Sequence, residues 1–124
     1  VNLKELITFH KKNKNTVTLT ASKPLGRFGA LKINDIKVEN FNEKPSGDSL
    51  WVNSGFFVVN PKVFEDIDSD ELIWEKDILT KLAKRGELNC FKHSGFWQPM
   101  DTLRDKNYLE DLWRKNDAKW RIWK

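Results

Sequence analysis

Five short stretches of the chain carry side chains whose types and spacing could do chemistry. The first is Phe41-Asn42-Glu43-Lys44-Pro45, which puts an acceptor-only carboxylate beside a three-donor ammonium at a strand end before a proline. Adjacent strand residues face opposite ways, but a bend at the proline lets both reach one ligand. Glu43 would then accept from sugar hydroxyls while Lys44 pairs with a phosphate, so the dipeptide suits a sugar phosphate. A solvated strand end explains the same residues. Asp101, in Trp97-Gln98-Pro99-Met100-Asp101-Thr102, stands where a loop meets a helix start. It reads as a helix cap or dipole partner, or as a hard oxygen ligand for Mg²⁺, which takes one or two protein carboxylates and fills its octahedron with phosphate oxygens and water. Asn53, inside the apolar stretch Trp51 to Val59, must find partners for its amide if buried, as a structural bridge or as a ligand contact.

Gly26 and Gly29 flank Arg27-Phe28 without matching a glycine-rich phosphate loop, so a turn with close backbone approach is expected there. Cys90 reads as a small core residue, since one cysteine makes neither a zinc site nor an internal disulfide. His10 and His93 have no companion signature and read as structural. Four of the six tryptophans, Trp97, Trp113, Trp120 and Trp123, fall among cations in the last 28 residues. Such a tail can stack bases and neutralise phosphates, or pack on its own domain or a sister subunit.

Periodicity supplies the elements that must position these groups. Leu3, Leu6, Ile7 and His10 recur at helical spacing over Asn2 to Lys14, with Asn2 and Glu5 in a capping pattern. Thr16 to Ala21 alternates as a half-buried strand. Phe28 to Ile33 and Ile36 to Asn42 form a hairpin about Asn34-Asp35. Trp51 to Val59, nearly continuously apolar at its end, predicts a strand covered on both faces. Asn60-Pro61 opens a short helix over Lys62 to Ile67, and a longer one runs from about Ile73 to Arg85, with Gly86 as its stop. Leu88 to Lys92 is a strand, and Thr102 with Asp105 starts a last helix carrying Leu109, Leu112 and Trp113. The order predicts an α/β fold, a mixed sheet flanked by helices.

At 124 residues the chain suits one domain or a piece of one, and 39% hydrophobic with 12% aromatic residues speaks for a globular core. The longest apolar run, Gly55 to Val59, is far short of the ~20 residues a membrane span needs, and the start carries no apolar export signal. The single cysteine makes a reducing cytoplasm the default. The first residue, Val1, suggests a processed chain or a fragment. The net charge of +4 is uneven: residues 1–62 hold ten basic and five acidic side chains, residues 63–124 twelve and thirteen. An early basic surplus is compatible with an anionic ligand.

Together, Gly26 to Leu31, Phe41 to Pro45 with Gly47-Asp48, Val52-Asn53-Ser54-Gly55-Phe56-Phe57-Val58, and the long run Gly95 to Lys106 resemble the glucose-1-phosphate cytidylyltransferase family of sugar-phosphate nucleotidyltransferases, in order and in approximate spacing. The resemblance covers the C-terminal half of that family's Rossmann-like fold. Its Gly-Gly-x-Gly-Thr-Arg loop, its Lys-Pro-Met and its Gly-Asp-Gly segment do not occur in this chain. The resemblance implies that Glu43 binds glucose hydroxyls, Lys44 holds the sugar phosphate, Asn53 and the Gly29 backbone line the sugar pocket, and Asp101 is one of two Mg²⁺ carboxylates. It implies CTP and glucose 1-phosphate as substrates, CDP-glucose and pyrophosphate as products, and a cytoplasmic homo-oligomer in deoxysugar and surface-polysaccharide synthesis. Ser54 and Trp51 depart from the family pattern, which has glycine and a smaller apolar residue there. Without the nucleotide loop, the chain alone is expected to be inactive. A nucleic-acid-binding module using the tryptophan tail, or an oligomerisation domain, are the other readings.

Overall fold

A computed structural model of the chain describes residues 1–23, 30–34, 36–42 and 51–123, with the backbone alone for 30–34 and 39–42. The helix α1 (Leu3–Asn13) begins where Asn2 Oδ1 accepts from the Lys4 and Glu5 amides, and ends at Lys14 in the left-handed region. It leads into β1 (Val17–Ser22). The hairpin is present as β2 (Ala30–Asn34) antiparallel to β3 (Lys37–Asn42). After β4 (Val52–Val59) comes the expected short helix, as a 3-10 turn over Pro61–Asp66. The expected helix from Ile73 starts instead as a π turn (Trp74–Ile78) that runs into α2 (Leu79–Lys84). Gly86, at φ +69°, ends it as predicted. β5 (Leu88–Lys92) and α3 (Leu103–Arg114) complete the chain.

The sheet order is β2-β3-β5-β1-β4, with β1 parallel to β5 and antiparallel to β4. The sheet is therefore mixed, as the sequence predicts. Two expectations about burial are overturned. All six residues of β1 are buried rather than alternate ones, because a central strand is covered on both faces. One face packs Val17, Leu19, Ala21, Leu88 and Cys90 against Val63, Ile78, Leu79 and Leu82. The other meets α1, where His10 Nδ1 lies 2.8 Å from Thr18 Oγ1 and Phe9 meets Phe91 edge to face. Conversely β4, predicted to be covered on both faces, is an edge strand among the described residues, with Phe56 and Val59 exposed. Its Phe57 meets Trp74 edge to face, with ring centroids 5.8 Å apart.

An ion-pair cluster ties the 3-10 turn to α2: Asp66 accepts from Arg85 at 2.9 and 2.5 Å and from Lys81 at 2.7 Å. The bonds from Arg85, then from Lys81, hold the Asp66 carboxyl well below the usual carboxylate range. A carboxyl with a depressed folded pKa adds stability above its unfolded value, and that stability is lost as pH falls through the folded one. Asp66→Asn should therefore lower the melting temperature at pH 7 and leave the acid limb of a melting series flatter than in the wild type. Parallel acid limbs would mean that the cluster contributes nothing.

Candidate functional site

The carboxyl ends of the parallel strands β1 and β5 share one edge of the sheet with the start of the antiparallel β4, and in open α/β sheets this edge is where ligands gather. Asn53 lies there. Cross-strand register pairs it with Ala21, which in turn pairs with Lys92, so Asn53, Ala21 and Lys92 share one face. Its side-chain Oδ1 accepts from the Gly55 backbone N–H at 3.0 Å. The side chain is half-buried, and its NH₂ donors have no partner among the described residues. The structure thus shows Asn53 bridging its own strand through Oδ1, with the two donors of its amide facing no partner among the described residues.

Just beyond Asn53 the ladder breaks. Leu19 pairs with Phe57 and Ala21 with Asn53, so Ser54, Gly55 and Phe56 together face Thr20 alone. Gly55 takes φ +82° there, a region that strains a residue with a Cβ. Ser54 fastens the bulge by donating to the Thr20 carbonyl at 2.8 Å. The bulge leaves the Ser54 carbonyl available to the Trp97 indole N–H at 3.2 Å.

That bond draws the segment leading to Asp101 onto the sheet edge. Further bonds fix the same segment: the His93 amide donates to the Ala21 carbonyl at 2.8 Å, His93 Nε2 lies 3.1 Å from the Phe96 carbonyl, and Gln98 donates to Asp105 at 3.1 Å. Thr102, not Asp101, caps α3. Its hydroxyl accepts from the Asp105 amide at 3.2 Å, and the Thr102 amide donates back to the Asp105 carboxylate at 3.0 Å, which completes a capping box. The Thr102 hydroxyl bond is the main cause holding the Asp105 carboxyl below its usual range. With the cap assigned to its neighbour, Asp101 is exposed and its carboxylate has no partner among the described residues. A lone free carboxylate matches one protein ligand of an Mg²⁺ completed by phosphate and water. The described residues contain no group of three or more acidic, histidine or cysteine side chains able to enclose a metal by themselves.

The structure thus joins the Asn53 strand to the Asp101 segment. Gly29, Glu43 and Lys44 lie outside the described residues. Sequence reasoning missed the bulge and its tie to Trp97; Ser54-Gly55 inside an apolar strand was the available signal.

Beside the segment a largely apolar cavity of about 500 Å³ opens between Phe56, Phe96, Met100, Leu109, Trp113 and Trp120. Trp120 packs on Phe96 and Arg121 lies over Trp113, so part of the tail covers its own domain, while Ile122 is 91% exposed. No residue of α3 is fully buried. No described helix is long and apolar enough to cross a membrane.

Cys90 is buried, and burial pushes its thiol up to about 12. Native protein should therefore leave a maleimide unreacted over hours and label fully in denaturant. Fast labelling of the native chain would contradict this burial.

The nucleotidyl transferase family matches residues 1–114. The chain is 54% identical over 123 residues to the glucose-1-phosphate cytidylyltransferase of Salmonella typhimurium, covering 99% of this chain and 48% of that protein. It is 35% identical over 124 residues to a probable glucose-1-phosphate cytidylyltransferase of Bacillus subtilis, with 99% and 48% covered. It thus spans about half the length of the curated relatives it matches. Among solved structures, a putative glucose-1-phosphate thymidylyltransferase from Bacillus anthracis superposes with a TM-score of 0.77 at 22% identity, covering all of this chain and 52% of that one. HddC from Yersinia pseudotuberculosis gives 0.74 at 22% identity, with 87% and 48% covered.

Proposed function

The chain belongs to the nucleotidyl transferase family, and on that premise we propose that it supplies the sugar-phosphate-binding and assembly part of a glucose-1-phosphate cytidylyltransferase. That enzyme joins CTP and glucose 1-phosphate into CDP-glucose and pyrophosphate. The observation that carries the reading on the structural side is the Trp97 bond to the Ser54 carbonyl, which brings the Asp101 segment beside Asn53.

In this reading the free amide donors of Asn53 and the backbone of Gly29 line the hexose, Glu43 accepts from its hydroxyls, and Lys44 pairs with its phosphate. Asp101 offers its carboxylate to Mg²⁺. When bound, the ion offsets the repulsion between two polyanions as the sugar phosphate approaches the α-phosphate of CTP in line. The residues of this chain orient the attacking phosphate and hold the hexose still, which converts an encounter of two anions into a positioned reaction. The chain has no Gly-Gly-x-Gly-Thr-Arg loop, so binding rather than turnover is what it should display alone.

The product serves deoxysugar and surface-polysaccharide synthesis in the cytoplasm, a compartment compatible with one unpaired thiol. Homo-oligomerisation belongs to the same reading and is supported by the apolar surface that α3 and the tail leave open, with Leu103, Ile122 and Trp123 all exposed. The basic tryptophan tail gives less support to nucleic-acid binding, because Trp113 and Trp120 are engaged within the chain.

Calorimetric titration of the chain with glucose 1-phosphate tests the binding half of this reading. Saturable binding is expected, weakened by about 1.5–3 kcal/mol in Lys44→Ala, the range for a charge-assisted hydrogen bond. Unchanged affinity in the variant would remove Lys44 from the site.

A further inference from the structure

Lys23 directly follows β1, Lys92 ends β5, and Trp51 directly precedes β4. Register puts all three on the face that carries Asn53: Lys92 pairs with Ala21, Lys23 lies two residues beyond Ala21, and Trp51 lies two residues before Asn53. The side chains meet there. Lys23 Nζ stands 5.0 Å and Lys92 Nζ 6.0 Å from the centroid of the same Trp51 ring. Trp51 is itself held in place, half-buried against the core that contains Leu19, Ala21 and Cys90.

Neither ammonium has a carboxylate partner among the described residues, although ion pairs engage Lys62, Lys81, Arg85, Lys106 and Arg114 elsewhere. Two like charges gathered on one indole repel each other. The negative face of the ring offsets part of that repulsion, and a bound anion would offset the rest. The pair also sits at the sheet edge where open α/β folds place their ligands, on the face of Asn53, whose amide donors have no partner among the described residues.

We propose that Lys23 and Lys92, held by Trp51, form a phosphate-binding pair on the Asn53 face of the sugar-phosphate site. The proposal rests on the transferase reading and adds a second cationic contact to that of Lys44. The phosphate belongs either to the hexose phosphate or to the pyrophosphate leaving group. Both are polyanions that a pair of point charges on flexible stems can follow without a fixed fork geometry.

Titrations of the chain with glucose 1-phosphate, with pyrophosphate and with glucose at two salt concentrations test it. In Lys23→Gln/Lys92→Gln the affinity for one phosphate-bearing ligand should fall about tenfold or more, with a shallower salt dependence, while the melting temperature stays unchanged because both side chains are exposed. The ligand that weakens identifies the source of the phosphate. Trp51→Leu, which keeps both charges but removes the platform, should give a smaller loss in the same ligand. Wild-type affinity of the double variant for both ligands would overturn the proposal. If Lys44→Ala weakens glucose 1-phosphate while the double variant binds both ligands normally, the pair is dismissed and the transferase reading stands. If the wild-type chain binds neither phosphate ligand, both fall.

Discussion

Asp101→Asn should leave the fold intact and remove most of the metal-supported formation of CDP-glucose, assayed in a protein of the relatives' full length. The loss of turnover should be about 100-fold or more, since a ligand that places a Lewis acid on a developing phosphoryl charge is worth several kcal/mol. The same substitution should barely move the melting temperature. Asp101 is exposed, its carboxylate has no partner among the described residues, and the helix behind it is capped by Thr102 and Asp105. A stability loss with normal turnover would make Asp101 structural. Near-normal turnover at unchanged stability would end the metal assignment.

Leu19→Ala should have the opposite profile. Leu19 is fully buried in the middle of the interior strand β1, paired with Phe57 on one side and Cys90 on the other. Removing its isopropyl end leaves a cavity in a layer that α2 and the 3-10 turn cannot close without moving, at a cost of about 2–5 kcal/mol. Against a total of roughly 5–15 kcal/mol for a domain, that is a large share. Urea unfolding should show a lower midpoint at unchanged slope. A loss below about 0.5 kcal/mol, the size expected for a surface change such as Ile122→Ala, would mean that β1 is not the centre of the core.

Most elements of the fold were legible because local signals agreed with one another. Asn2 caps α1, Gly86 ends α2, and Thr102 and Asp105 open α3, each through a side-chain or backbone preference confined to a few residues. Burial was less legible, since it depends on what lies across the sheet. The alternation of Thr16 to Ala21 suggested a half-buried strand, yet threonine is small enough to pack under α1, and Thr18 finds His10 there. The apolar end of β4 suggested a strand covered on both faces, yet among the described residues no strand lies beyond it in the sheet.

The site divides in the same way. Asp101 and Asn53 were legible as residue types, but the tie between their segments was not, because it depends on a bulge at Ser54-Gly55 and an indole 43 positions away. The Lys23–Trp51–Lys92 cluster was equally hidden, since it joins three strand ends far apart in sequence.

A crystal of the chain soaked with glucose 1-phosphate and Mn²⁺, used as an anomalous stand-in for Mg²⁺, tests most directly whether one hexose phosphate gathers these groups. The expected map has the ion on the Asp101 carboxylate, the phosphate on Lys44 and the hexose against Glu43 and Asn53. An ordered hexose phosphate bound away from Asp101 and Asn53 would contradict the account.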